Sequence, residues 1–324
     1  MNLQNIQITF NTHNDNKNAS TILQDQMTGI ETGGRAIERT FCAEFSRTAE
    51  EEMAGTVRPV DLWLLIEFRA RWEREAIQVF SEAVQLRLKS LRTRIPATRL
   101  TLIRQQDRVR GPLSLFWAFS DERKPRLYRT QFTNYEDLRF DEEKLGGETK
   151  EKLFAVCTHG RHDPCCARFG NAIYSRMQAI CENVWQISHI GGCRFAPNVV
   201  CLPHGIVYGR VESSECEAIV SGYNQGSLLV SRARGRSCYS KPIQAAEHFL
   251  RTEKNLTDFE DLSLTGATET LPGQWSVTFS SRNSSQYRVL LSMEGGQTET
   301  YKSCSASELL PRARFRLNDC LQEI

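Results

Sequence analysis

Between residues 157 and 193 the chain sets four metal-ligating side chains in two pairs. Cys157 and Cys166 are separated by eight residues, and after a gap of twenty-two come His189 and Cys193, separated by three. Three thiolates and one imidazole complete the coordination of a metal centre and leave no position open for a substrate. Pairs so far apart converge only if the fold brings two loops together, which constrains the architecture more than any other feature of the 324 residues.

The flanking sequence suits that demand. KLFAVC (152–157) reads as a buried strand running into the first ligand, and THGRHDP (158–164) as a polar, turn-rich loop. CCARFGNAIYSRMQAICENV (165–184) reads as a helix with apolar Ala167, Ile173, Met177 and Ile180, placing Cys166 in its first turn. Backbone N–H groups and the positive helix end there would stabilise a thiolate. VWQIS (184–188) reads as a second strand that delivers His189 into Ile190-Gly191-Gly192, where glycine lets backbone approach a bulky group. NVVCLP and GIVYGRV then read as two strands joined by a Pro-His-Gly turn. Strand, loop, helix, strand and an antiparallel pair is the order of a thioredoxin-like half.

CTHGRHDPCCARFG, SHIGGCRFAPNVV and LPHGIVYGR resemble the three signature segments of the sucrase/ferredoxin-like family, relatives of the thioredoxin-like [2Fe-2S] ferredoxins. FCAEFSR, AGTVRP and LWLLIEF resemble that family's N-terminal segments, so the likeness covers roughly residues 40–300. It implies a thioredoxin-like ferredoxin lobe, and the element order pairs this lobe with a related N-terminal α/β lobe and adds a C-terminal helix and β-hairpin, an α/β fold throughout. The resemblance also implies a [2Fe-2S] cofactor, with Cys157 and Cys166 as the first ligand pair and His189 and Cys193 as the second. Fungal members carry His at both ends of the second segment and the thioredoxin-like ferredoxins carry Cys at both, so this chain is intermediate. Cys165 remains an alternative to Cys166.

Seven further cysteines, Cys42, Cys181, Cys201, Cys216, Cys238, Cys304 and Cys320, lie outside the proposed set. Buried cysteine commonly serves as a small apolar side chain, the reading taken for Cys181 and Cys201. Cys42 and Cys304 fall in family-like positions, but nothing near them in sequence supplies a ligand set. His159 and His162 sit inside the first ligand loop, either as turn-stabilising side chains or as hydrogen-bond donors that tune a cluster. His204 and His248 are read as structural or exposed. Arg161 and Arg194 flank the ligand loops, where they could offset an anionic centre or form a docking face.

Organisation follows composition. Residues 1–35, rich in Asn, Gln and Thr, read as a mobile polar tail with a possible short strand at IQITF. Residues 36–150 read as an α/β lobe with strands LWLLIEF, TRLTLIRQ, LSLFWAFS and RLYRTQF and a helix through REAIQVFSEAVQLRLKSLRTR. Residues 151–240 form the cluster lobe and 241–324 the extension. In the latter, KPIQAAEHFLRTEKN reads as a helix, and WSVTFSS and QYRVLLSM as a hairpin across SRNSS. SECEAIVSGYNQGSLLVSRARGR reads as helical, its arginines as a solvated face.

A formal net charge of +2 gives no electrostatic case for nucleic acid or an anionic membrane. No apolar run reaches the length of a membrane span and no signal peptide is recognised, so a cytoplasmic location is expected, where eleven cysteines serve as thiols and ligands rather than disulfides. Phosphate-loop and dinucleotide motifs are absent, and there is no C-x-x-C dithiol. The expectation is an electron-transfer protein that works with a redox protein partner and is an electron carrier rather than a catalyst. The alternative is an interaction module in which the same four residues hold a structural zinc ion.

Overall fold

The computed structural model describes residues 41–106, 110–141 and 145–323. The polar tail and its possible strand at residues 6–10 lie outside the described residues. The first half contains helix α1 (Cys42–Thr48), strand β1 (Leu62–Glu67), helix α2 (Glu82–Arg94), and strands β2 (Thr98–Arg104), β3 (Leu113–Phe119), β4 (Arg126–Phe132) and β5 (Gly147–Thr149). The second contains β6 (Leu153–Cys157), α3 (Pro164–Gln178), β7 (Val184–Ile187), β8 (Val199–Leu202), β9 (Ile206–Tyr208), α4 (Cys216–Gln225) and β10 (Ala233–Arg236).

All ten strands join in one sheet, in the order β10-β9-β8-β6-β7-β2-β1-β3-β4-β5. Each half repeats one arrangement: β6 pairs parallel with β7 and antiparallel with β8, which continues into β9, just as β1 pairs parallel with β2 and antiparallel with β3, which continues into β4. A parallel pair needs a crossover, and α3 and α2 supply it. This is the paired thioredoxin-like architecture that the element order predicts. The halves meet where β2 pairs antiparallel with β7 through Ile103–Ile187 and Arg104–Gln186. β1 and β6 are buried at every position, as strands covered on both faces must be.

Three local predictions change. The helix expected over 74–94 divides: Ala76–Val79 forms a 3-10 turn, and α2 begins only after Ser81, whose side chain accepts a hydrogen bond from the Val84 N–H. α4 stops at Gly226, whose φ of +90° suits glycine, so the RARGR segment enters the sheet as β10 instead of continuing a helix. Its Arg234 and Arg236 are therefore buried, not solvated.

The C-terminal helix α5 (Lys241–Lys254) docks through Glu247, which pairs with Arg236 at 3.2 Å and Arg251 at 3.0 Å. The expected hairpin forms as β12 (Gln274–Ser281) and β13 (Gln286–Glu294). It lies inside a four-stranded sheet completed by β11 (Leu262–Leu271) and β16 (Arg314–Glu323), with β14 (Glu299–Tyr301) and β15 (Leu309–Pro311) paired separately.

Candidate metal centre

The two ligand loops converge. β6 ends at Cys157, and Asp163 caps α3 by accepting a hydrogen bond from the Cys165 N–H, which starts the helix with Cys166 in its first turn. Gly170, one turn further on, lies so close to β6 that a Cβ there would sit 2.1 Å from the Cys157 carbonyl oxygen. The missing side chain is what lets helix and strand bring Cys166 to Cys157. From the other side, Ser188 pairs with Leu102 of β2 through its backbone N–H at 2.8 Å and its hydroxyl at 2.9 Å, fixing the chain that carries His189. Gly191 and Gly192, at φ +97° and +74°, then turn the backbone into the short 3-10 helix Cys193–Phe195.

One metal-ligating atom from each of Cys157, Cys166 and His189 lies within 4.8 Å of the others, and the same holds for His162, His189 and Cys193. The Cys193 Sγ is 3.4 Å from His189 Nδ1. Cys157, Cys166 and Cys193 are buried and His189 is half-buried. Cys165 faces away from this group, toward Cys42 at 3.5 Å and Cys304 at 3.1 Å.

Protons are unequally shared. Hydrogen bonding from Cys166 holds Cys157 well below the ordinary thiol range despite burial, with His189 adding to the effect. Cys193 is lowered in the same way, while Cys166, bonded to both, is pushed well above. Burial opposes charge on His189, yet Cys157 and Cys193 together raise its pKa to about 9. The site therefore gathers negative sulfur around a few releasable protons, the state from which thiols and imidazole bind a cation.

Side chains around the four donors hold them and supply positive charge. The His189 N–H donates to His159 Nδ1 at 3.2 Å, and the His162 ring stacks on His189 with centroids 3.6 Å apart. Arg99 donates to the His189 carbonyl at 2.6 Å. Arg234 donates to the Gly191 carbonyl at 3.1 Å and to Asn198 Oδ1 at 2.8 Å, and Asn198 in turn donates to the Gly192 carbonyl. Burial, then the neighbouring Arg194, lowers Arg234 to about 9, which leaves it cationic at neutral pH. Arg194 pairs with Glu51 at 2.6 Å, whereas Arg161 makes an exposed pair with Glu73.

Arg99, Asn198 and Arg234 escape a reading by motif, because they approach from β2, a loop and β10 and carry no spacing signal. Cys201, buried in β8, and Cys181, packed at the edge of a neighbouring core cluster, occupy apolar surroundings. His204 is structural, its Nδ1 lying 2.8 Å from the Tyr223 hydroxyl, and His248 lies on α5.

The family described as Sucrase/ferredoxin-like matches residues 53–235, more than half of the chain and all four of these residues. The chain belongs to the sucrase/ferredoxin-like family. A curated relative is the Altered inheritance of mitochondria protein 32 of Meyerozyma guilliermondii, 28% identical over 35% of this chain and 46% of that protein, so the match spans less than half the relative's length. Among solved structures, a cysteine-to-serine variant of the thioredoxin-like [2Fe-2S] ferredoxin from Aquifex aeolicus aligns with 26% of this chain and 97% of its own. Its identity is 19% and its TM-score 0.24. No helix among the described residues of this sucrase/ferredoxin-like chain is long and apolar enough to cross a membrane.

Proposed function

We propose that the protein is an electron carrier that holds one [2Fe-2S] cluster through Cys157, Cys166, His189 and Cys193. The observation that carries this reading is the convergence of three buried cysteines and one histidine from two loops of a chain in the sucrase/ferredoxin-like family. The surroundings fit an anionic group. Two glycines with positive φ line one side, buried Arg234 provides a cation, and the buried Thr158 hydroxyl beside Cys157 has no hydrogen-bond partner among the described residues. When bound, the cluster supplies one-electron chemistry.

The residues of this chain do the rest. Arg99 and His159 fix the backbone of His189, and the stacked His162 ring limits its rotation. As the partly exposed donor, His189 is placed to exchange a proton with solvent when the charge beside it changes, coupling proton to electron transfer. An open cleft of about 510 Å³ reaches His162 and His189 and is lined by Arg58, Arg74, Arg92 and Arg99, with Glu75 as an acidic residue in its lining. This positive cleft suits the acidic face of a redox protein partner, which would bring a donor or acceptor nearest to the His189 side. We place the protein in the cytoplasm on the same reading.

The test is anaerobic purification followed by iron, acid-labile sulfide and ultraviolet–visible measurement. Red-brown protein with iron and sulfide in equal amounts is expected. Cys157→Ser and Cys166→Ser should lose both, whereas Cys181→Ser and Cys201→Ser keep them, because a hydroxyl cannot replace a thiolate ligand but can replace a packing thiol. Colourless wild-type protein holding zinc at these four residues, or full iron in both ligand variants, would refute the proposal.

A further inference from the structure

A second set of metal-ligating side chains gathers on another side of the α3 N-terminus. Cys42 comes from the start of α1, Asp163 and Cys165 from the start of α3, and Cys304 from the loop between β14 and β15. One donor atom from each lies within 4.8 Å of all the others. The three sulfurs form a triangle with sides of 3.1, 3.5 and 3.6 Å. Four donors around a zinc ion with Zn–S bonds of about 2.3 Å would place sulfurs about 3.8 Å apart at tetrahedral angles, so the sides need to lengthen by about 0.2 to 0.7 Å.

The carboxylate marks these thiols as more than core packing. Asp163 is 1% exposed, and Cys42 and Cys165 are 2% and 0% exposed. Each Asp163 oxygen already accepts one backbone N–H at 2.9 Å, Oδ1 from Cys165 and Oδ2 from Cys304, and Oδ2 also lies 4.0 Å from Cys42 Sγ. These bonds aim the carboxylate at the thiols and leave it lone pairs to give to a cation. A carboxylate is a poor companion for three thiols in a core and a natural fourth ligand beside three thiolates. A disulfide would use two of the sulfurs and leave the third against it, with Asp163 serving only as the α3 cap and as acceptor for the Cys304 N–H.

We propose that Cys42, Cys165, Cys304 and Asp163 bind one structural zinc ion, separate from the four residues of the candidate cluster. The site is closed, with four protein ligands and no open position, which is the form of a structural centre rather than a catalytic one. It joins segments 121 to 262 residues apart in sequence, fastening α1 and the β14–β15 loop onto the helix end that also carries Cys166. Fixing such long loops in the native state opposes a large chain entropy, and zinc binding adds directly to folding free energy.

The experiment measures zinc and iron together, by mass spectrometry of full-length protein grown with zinc sulfate and purified without oxygen. Wild type is expected to hold one zinc ion per chain, and Cys42→Ser and Cys304→Ser to lower that content by more than about tenfold. Their iron, sulfide and colour should persist, while Cys157→Ser should lose iron and keep zinc, so the fates of the two sites are read separately. Cys304 lies half-buried on a loop, and Cys304→Ala serves if Cys42→Ser does not fold. Wild type without zinc, zinc retained in both Cys304 variants, or a disulfide among Cys42, Cys165 and Cys304 in the purified chain overturns the assignment.

Discussion

Replacing Gly170 with alanine should weaken both the fold and the candidate centre, against the usual effect of this substitution in a helix. Within a helix, alanine is favoured over glycine by roughly 0.5–1 kcal/mol, because glycine loses more backbone freedom on folding. Here the new Cβ would lie 2.1 Å from the Cys157 oxygen and 3.1 Å from its carbonyl carbon, and both atoms are backbone of a central strand. Real Cβ contacts do not fall below 3.0 Å, so α3 and β6 must part by about 0.9 Å. Overpacking of this kind costs typically 1–3 kcal/mol, and a clash with backbone that cannot rotate away belongs at the upper end. Subtracting the helical gain leaves a net loss of about 2 kcal/mol, roughly a thirtyfold change in the folding equilibrium.

The same displacement separates Cys166 from Cys157, so iron content should fall as stability falls. Urea unfolding of the metal-free chains gives the first quantity, and iron and sulfide analysis of anaerobically purified protein the second. Gly147→Ala is the control, since a Cβ there meets nothing within 4 Å and the change should stay within about 0.5 kcal/mol. Gly170→Ala protein as stable as wild type, with full iron and an unchanged spectrum, would show that the close approach does not position the ligands.

Two further outcomes are expected. Cys193→His should raise the reduction potential by roughly 100–350 mV, about half the spread between all-thiolate and two-imidazole centres, and make it more pH-dependent; His189→Cys should lower it, and protein-film voltammetry that finds neither shift would remove both residues from the metal. His204 is held down to about 4 by burial and then by Arg236, from an ordinary value of 6.5. Between those values the unfolded chain binds a proton that the native chain does not. Stability from this group is therefore complete above pH 6.5 and falls by up to about 3 kcal/mol as pH drops toward 4. Chemical denaturation of wild type and His204→Gln across that range should show the slope only in wild type.

The site was legible where chemistry and local periodicity coincide. Buried runs such as LFAVC and VWQI bracket a helix that starts beside Cys166, and the parallel pairing of β6 with β7 follows from that order. The break at Ser81 was hidden because apolar residues continue at helical spacing across it, while the hydroxyl that caps α2 acts through a backbone N–H. RARGR looked solvated because a run of arginines in a short segment carries no sign of burial. Arg234 is tolerated inside because Thr56, Gly191 and Asn198 give its guanidinium acceptors, and Arg236 because Glu247 neutralises it. Those partners lie 11 to 178 residues away, beyond any local pattern.

Cys165 and Cys166 differ in their neighbours for a reason of the same kind. Consecutive residues on an α-helix point about 100° apart, so two adjacent cysteines in the first turn of α3 cannot serve one compact centre equally. Cys166 turns toward Cys157 and His189, and Cys165 toward Cys42 and Cys304. Which of the two directions holds partners was not readable from CC itself, because the partners of Cys165 lie 123 and 139 residues away. With both directions occupied, the pair makes the start of α3 the common wall of two thiol-rich sites. A shift of that helix end must then alter both, whereas a side-chain change on one face can leave the other intact. That asymmetry is why Gly170→Ala and Cys304→Ser probe different things: the first moves the wall, and the second removes a donor from only one side of it.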